Sequence, residues 1–174
     1  MTRLPEGLVF RPASADDAPR LAALVVEGFE SYRAFAPPGW VVPSVADELE
    51  RVAATLAKPS CWCELAEQEG ERLAGHVGWL AAADSRLPDD EPGLGHFWQL
   101  FVRRDRWGSG LATKLHAAAM QAAAERGLTT LRLFTPADHA RARRFYEREG
   151  WSLHRPPFFD PHFGMTLAEY RRAP

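Results

Sequence analysis

The feature that most constrains this chain is a pair of glycines, Gly108 and Gly110, between a strand-like run and a helix-like run. After them, Leu111, Leu115 and Ala118 recur at helical spacing. Two glycines at a helix start allow a tight turn, so that several N–H groups converge at the positive end of the helix dipole. The loop predicts a pyrophosphate-sized anion site, although a plain strand-to-helix turn is the alternative that spacing leaves open.

This loop differs from two common phosphate-binding patterns. No Lys-Ser or Lys-Thr pair follows Gly110, and the third glycine of a dinucleotide fingerprint is missing. Nucleoside triphosphates and NAD are therefore disfavoured. Arg103, Arg104 and Arg106 precede the loop and either attract phosphates or form a solvated cluster.

Periodicity and breaker residues divide the chain into alternating strands and helices. Strands are predicted at residues 8–11, 61–66, 73–82, 97–102, 130–134, 151–154 and 163–170, with a polar turn at 67–72. Helices are predicted after a capping box at 14–17 to about residue 32, over 45–57, over 110–126, and from a cap at Asp138 to about residue 149. This order describes one mixed α/β sheet domain covering residues 1–174.

Composition excludes several partners. The chain has 174 residues, of which 46% are hydrophobic, and a net charge of -2, so it can bury one core and lacks the basic excess that nucleic acid binding requires. No apolar run approaches the roughly 20 residues that cross a bilayer, and no apolar leader begins the chain, which predicts a cytoplasmic protein with no membrane partner. Cys61 and Cys63 lie apart from any His or Cys cluster, so we expect no metal site and a reducing compartment.

The segment around the glycines resembles motif A of the GNAT superfamily, (Q/R)-x-x-G-x-(G/A). It reads Leu100-Phe101-Val102, then Trp107-Gly108-Ser109-Gly110-Leu111-Ala112, with Trp107 at the Gln or Arg position. The resemblance implies that acetyl-CoA is the cosubstrate and that the amides of 108–112 bind its pyrophosphate. It also implies that the Val102 backbone pairs with the pantetheine arm and that the Leu100 amide is an oxyanion donor.

Residues 135–151 resemble GNAT motif B, N-x-x-A-x-x-x-Y-E-x-x-G-(F/W), with His139 in place of Asn. The resemblance implies that Tyr146 is the general acid that protonates the departing thiolate. From the helix alone, an aromatic residue packed on the sheet is the alternative interpretation.

A base must deprotonate the amine, and His96 is the candidate. It precedes Val102 by six residues, at a position where the family carries Glu or His. Strand alternation predicts that His96, Trp98, Leu100 and Val102 share one face. If His96 is the base, activity should fall at acidic pH as the imidazole becomes charged. A bound water and the acidic residues of the preceding loop are the alternatives, the latter being Asp89, Asp90 and Glu91.

The resemblance implies an α/β (α+β) fold whose mixed central sheet has splayed central strands and flanking helices. It implies an N-acetyltransferase that transfers acetyl to a primary amine of a small molecule or peptide by direct attack in a ternary complex. A noncatalytic acyl-CoA-binding or regulatory domain and a transferase of longer acyl groups are the alternatives. The aromatic segments 35–40 and 154–163 flank the acceptor cleft, pack on the core or form a homodimer contact.

Overall fold

The computed structural model describes residues 7–68 and 72–174, in which seven strands form one sheet with helices on both faces. The strands are β1 (Leu8–Pro12), β2 (Trp62–Gln68), β3 (Leu73–Ala81), β4 (Leu94–Val102), β5 (Thr130–Pro136), β6 (Ser152–Asp160) and β7 (Met165–Arg172). The helices are α1 (Ala18–Glu30), α2 (Val45–Leu56), α3 (Leu111–Glu125) and α4 (Ala140–Arg148). The predicted element order and the mixed α/β class are confirmed. The tip of the predicted turn at 67–72 lies outside the described residues.

The sheet has the order β1-β2-β3-β4-β5-β7-β6. Neighbouring strands are antiparallel except for β4 and β5, which are parallel and share three residue pairs, ending at His96 opposite Arg132. Beyond His96 the two strands separate while β4 continues for six residues to Val102. This separation confirms the predicted splayed central strands.

Apolar side chains fill both faces of the sheet. Leu111, Leu115 and Ala119 of α3 pack with β3 and β4 on one face, whereas Leu21 and Leu24 of α1 pack on the other. Strand β3 lies between these layers and is buried at eight of its nine residues. The amphipathic helices therefore hold the two central antiparallel strands in place from both sides.

A β-bulge at Trp98 changes the direction of the side chains along β4. Gly78 of β3 faces Gln99 and the next residue, Trp79, faces Phe97, so Trp98 is an extra residue. The prediction that His96, Trp98, Leu100 and Val102 share one face is wrong, because the bulge reverses the alternation. Trp98 packs with the α1 and α2 layer, and Leu100 and Val102 pack with the α3 layer.

Three local predictions also need correction. Strand β4 begins at Leu94 instead of residue 97, because its first three residues pair with β5. Asp138 does not cap α4: a turn in which the His139 N–H donates to the Pro136 carbonyl places His139 at the N-cap, without a side-chain cap. Strand β6 extends to Asp160 and takes in most of the aromatic segment 154–163.

Candidate active site

A slot of about 650 Å³ opens where β4 and β5 separate. It brings together six of the residues that the sequence singles out, on β4, on the following loop and on helices α3 and α4. These are His96, Leu100, Val102, Trp107, Ala112 and Tyr146. Gly108, Ser109, Gly110 and Leu111 form the turn between Trp107 and Ala112, beside the slot rather than among its lining residues.

The backbone of β4 presents to this slot polar groups that have no partner strand on that side. The Arg103 N–H donates to the Ala74 carbonyl of β3 at 2.9 Å. In an antiparallel ladder the backbone groups of alternate residues point to the same neighbour, so those of Phe101 also face β3. The N–H and C=O groups of Leu100 and Val102 therefore face away from β3, on the side where β5 has separated.

The glycine loop leaves room for an anion. Gly108 and Gly110 have φ angles of 81° and 82°, a left-handed conformation that other residues rarely adopt. Apart from the chain neighbours, no heavy atom of the described residues lies within 4 Å of where a Cβ would stand. Gly110 is the N-cap of α3, whose first N–H groups have no partner within the helix. Leu111 itself is buried in the core and anchors the loop. These residues fit the phosphates that the sequence predicts.

Trp107 lies between the glycine loop and β4. Its indole Nε1 donates to the Val102 carbonyl at 2.9 Å, and the Arg141 guanidinium stacks on its ring at 3.6 Å. Of the three arginines that the sequence offers for phosphate binding, Arg103 is in a salt bridge with Asp105 and Arg106 bonds to the Gln68 side chain, whereas Arg104 lies over the Trp107 ring at 5.7 Å. Sequence inspection missed Arg141, which lies in the second motif.

Tyr146 reaches the slot from α4. Its ring is buried against the edges of Phe97 and Trp151, with centroid distances of 6.3 and 5.9 Å. Burial raises the pKa of its phenol, which therefore stays protonated at neutral pH. Among the described residues no side chain hydrogen-bonds this hydroxyl. The ring packs on the sheet and Tyr146 lines the slot, and its role as the general acid stays a prediction.

His96 lies where the last rung joins β4 to β5. Its ring is 5.4 Å from that of Phe134, and its buried Nδ1 has no hydrogen-bond partner in the described part of the chain. Burial first, and then the charges of Arg132 and Arg86, lower the pKa of His96 to about 3. The imidazole is therefore neutral throughout the physiological range. This direction runs against the expectation that His96 becomes charged in mild acid, because its surroundings disfavour the cation.

Two of the alternative carboxylate bases are engaged elsewhere. Asp89 forms salt bridges with Arg132 and Arg171, and Glu91 forms one with Arg171 at 2.6 Å. These pairs hold the loop before β4 against β5 and β7. Neither carboxylate lines the slot among the described residues.

The end of the slot beyond His96 is polar. It is lined by residues of α2 and the turn after it, of the turn after β3 and of the β6–β7 turn, including Glu48, Arg51, Lys58, Arg86 and His162. The Glu48 carboxylate accepts a hydrogen bond from Arg51 and is almost fully buried, and burial raises its pKa. The sequence analysis missed this region, although a signal exists: Glu48 precedes Val52 by four residues on the apolar stripe of α2.

Of the two aromatic segments, 154–163 packs on the core and lines the slot, whereas 35–40 packs on the core and is not among the described lining residues. Phe35 stacks on His139 at 4.7 Å, and Tyr32 meets the same ring edge-on at 5.1 Å. Tyr32 and Phe163 line the slot. His139, which replaces the Asn of the family pattern, is thus held in an aromatic cluster, and burial lowers its pKa to about 4.

No helix in residues 7–68 and 72–174 is long and apolar enough to span a membrane. Within the same ranges, no group of three His, Cys, Asp or Glu side chains is placed to hold a metal ion.

A mixed sheet with splayed strands, a glycine turn at a helix start and a buried tyrosine facing the slot define the architecture of one class of acyltransferases. The profile of the "Acetyltransferase (GNAT) family" matches residues 25–151. This chain belongs to that family.

Relatives and solved structures agree with this assignment. The chain is 32% identical over 145 residues to a mycothiol acetyltransferase of Clavibacter michiganensis subsp. michiganensis, covering 83% of this chain and 42% of that protein. A mycothiol acetyltransferase of Kocuria rhizophila is 30% identical over 103 residues, or 51% of this chain and 34% of that one. The chain thus spans less than half the length of these relatives.

Solved structures share the fold at low identity. An acetyltransferase from Thermus thermophilus has a TM-score of 0.68 and 22% identity, over 95% of this chain and 96% of that chain. The PaiA N-acetyltransferase from Thermoplasma acidophilum, solved with coenzyme A, has a TM-score of 0.70 and 12% identity, over 93% and 97%. At such identities the likeness establishes the fold.

Proposed function

We propose that this chain is an N-acetyltransferase that moves an acetyl group from acetyl-CoA to a primary amine of a small molecule or peptide by direct attack in a ternary complex. One observation carries the proposal. Where β4 leaves β5, four residues line the same slot: Leu100 and Val102, whose backbones have no β-strand partner on that side, Tyr146 and His96. Family membership supports the same reaction.

The slot suits the binding of acetyl-CoA along its length. The open turn from Gly108 to Ala112 and the first N–H groups of α3 would hold the pyrophosphate. The Val102 N–H would pair with the pantetheine arm on the side where β5 has separated, whereas the Val102 carbonyl already accepts the Trp107 indole N–H. Bound there, acetyl-CoA supplies the acetyl group as a thioester.

Three residues of the chain then have separate tasks. His96 accepts the proton of the attacking amine, directly or through water. Its imidazole is neutral beforehand, but the burial and the arginines that lower its pKa also weaken it as a base, so the role requires that the bound substrates stabilise the imidazolium. The Leu100 N–H donates to the oxygen on which negative charge develops. Tyr146 donates its phenolic proton to the departing sulfur, and its raised pKa keeps that proton available at neutral pH.

The alternatives predict different behaviour. A noncatalytic acyl-CoA-binding or regulatory domain would bind the cosubstrate without turnover, and a transferase of longer chains would prefer a longer acyl-CoA. The Tyr146 hydroxyl, which borders the slot without a partner in the described part of the chain, favours catalysis. The names of the two curated relatives make the acceptor of mycothiol acetyltransferases a candidate substrate.

We further propose that residues 1–174 act as one acetyltransferase domain in the cytoplasm, with neither nucleic acid nor a membrane as a partner. The thiols of Cys61 and Cys63, both free, suit a reducing compartment. The homodimer that the sequence analysis considered stays a prediction, which analytical ultracentrifugation tests.

The deciding experiment measures free thiol with acetyl-CoA and a panel of acceptors. The panel contains amines, amino acids, peptides, aminoglycosides and the acceptor of the mycothiol acetyltransferases, each also tested with a longer acyl-CoA. Acceptor-dependent thiol release, with the acetylated product seen by mass spectrometry, is the expected result. Tight binding of acetyl-CoA without turnover of any acceptor would favour the regulatory alternative.

A further inference from the structure

A stacked pair of side chains stands where the slot reaches the surface. Trp107 comes from the loop before α3, and Arg141 comes from the first turn of α4. The guanidinium carbon of Arg141 lies 3.6 Å from the centre of the Trp107 ring, the arrangement of a cation on an aromatic face. Both side chains line the slot, so the pair connects its two walls next to the glycine loop.

The position of this pair is fixed from the β4 side. The Trp107 indole donates to the Val102 carbonyl at 2.9 Å, so its ring is tied to the end of the strand that the cosubstrate would follow. The ring in turn provides a flat surface for the guanidinium. A cation is thereby held close to Gly108 and Gly110, the residues assigned to the phosphates.

Arg141 has no carboxylate partner in the described part of the chain. Its neighbour Arg143 donates to the Tyr170 hydroxyl and the Ala137 carbonyl, and Arg103 across the loop is paired with Asp105. Burial lowers the pKa of Arg141, and no acidic group offsets this effect. Arg141 as a whole is exposed, but the Trp107 ring covers one face of its guanidinium and it has no counterion, so an anion bound there gains a charge-assisted hydrogen bond.

We propose that Arg141, positioned by Trp107, binds a phosphate oxygen of coenzyme A where the slot opens to the surface. The proposal rests on the proposed use of acetyl-CoA. A guanidinium is suited to this contact because its planar donors match the geometry of a phosphate. The cation that contacts the phosphates would then come from the second GNAT motif. In the first motif, the position that usually holds Gln or Arg is occupied by Trp107, which carries no charge.

Calorimetric titration with three ligands tests the proposal. Coenzyme A carries a pyrophosphate and a 3′-phosphate, dephospho-CoA keeps only the pyrophosphate, and pantetheine has no phosphate. Arg141→Gln should lower the affinity for coenzyme A by about tenfold, which is the scale of one hydrogen bond to a charged group. The affinity for pantetheine should be unchanged. Arg144→Gln is the matched control, because it removes an exposed arginine of the same helix.

The ligands also identify which phosphate is bound. Equal weakening of coenzyme A and dephospho-CoA assigns Arg141 to the pyrophosphate, whereas weakening of coenzyme A alone assigns it to the 3′-phosphate. Arg141→Lys keeps the charge and should recover part of the affinity, and pantetheine binding reports whether each variant is folded.

Two results would overturn the proposal. One is unchanged affinity of Arg141→Gln for coenzyme A, and the other is an equal loss for pantetheine. A wild-type protein that binds none of the three ligands would instead reject the proposed function itself.

Discussion

Tyr146 is set in an apolar environment that favours its neutral form. We predict that Tyr146→Phe keeps the affinity for coenzyme A and slows turnover by about a hundredfold or more, the scale of a lost general acid. The ring contacts with Phe97 and Trp151 are retained, so the free energy of unfolding should change little. Single-turnover rates with saturating acetyl-CoA measure the chemical step.

Tyr32→Phe is the matched comparison for that variant. Tyr32 is a second buried tyrosine that lines the slot, and the pKa of its phenol is raised by burial and by Tyr146 nearby. A larger rate loss in Tyr32→Phe than in Tyr146→Phe would reverse the assignment of the acid.

His96 gives a pH prediction that differs from the usual behaviour of histidine. Because its pKa is held near 3, the side chain does not titrate between pH 5 and 9. The acidic limb of the kcat/KM profile should then belong to the acceptor amine, and should move when an acceptor of different basicity is used.

The role of His96 as the base is tested by substitution. We expect His96→Gln to slow turnover by about a hundredfold without moving that limb. A rate close to wild type would exclude His96 and favour a bound water. A limb that stays at one pH for two acceptors would contradict the low pKa of His96.

At the scale of elements, the turn before α3 gives the clearest prediction. Gly110→Asp and Gly110→Asn impose the same strain at a φ of 82°, and they differ in charge. If the turn binds phosphate, Gly110→Asp should lower the affinity for coenzyme A by about tenfold more than Gly110→Asn does, because the Asp carboxylate repels the ligand. Calorimetry on both variants gives the comparison. Equal affinities would remove the phosphates from this turn.

The elements also show what a sequence can predict. Helix α3 was placed within one residue at each end, because Gly110 and Gly127 adopt left-handed conformations that interrupt a helix. Most of the predicted site residues came from two short motifs whose chemistry is local. The bulge at Trp98 left no such mark, since an extra residue in an apolar strand looks like any other.

The sequence could not predict tertiary contacts between residues that are far apart along the chain. Arg141 gained its interest only when α4 brought it onto Trp107. The pKa of His96 depends on Arg132 and Arg86, which lie 36 residues after it and 10 before it in the sequence. Spacing along the chain does not report such contacts. Glu48 is a different case, because a carboxylate on an apolar helical stripe was visible and was passed over.

For the whole molecule, enclosed histidines predict sensitivity to acid. Burial lowers the pKa of four of them, to about 4 for His76, His116 and His139 and to about 3 for His96. In the unfolded chain the pKa is about 6.5, so below this pH the unfolded state binds more protons and the free energy of unfolding falls. Each histidine contributes up to about 1.4 kcal/mol per pH unit between pH 6.5 and 4.

Urea unfolding at pH 7.5, 6.5 and 5.5 measures this loss. His139→Asn replaces one of the four histidines with the residue of the family pattern. It should reduce the slope of the free energy of unfolding against pH by the contribution of up to one proton. Stability that is independent of pH over this range would show that the histidines are accessible to protons in the folded state.

The three-pair junction between β4 and β5 gives the domain two plates that meet at one corner. Strands β1 to β4 form one plate and β5, β7 and β6 form the other, so along most of their shared edge no backbone hydrogen bond joins them. A molecule bound in the gap would contact both plates and could hydrogen-bond the backbone groups of Leu100 and the N–H of Val102. Acetyl-CoA would then join the two parts of the sheet as well as supply the acetyl group. At a concentration of a hundred times its Kd, the ligand should add about 2.7 kcal/mol to the free energy of unfolding. The backbone amides along the gap should exchange with solvent faster without the ligand than with it.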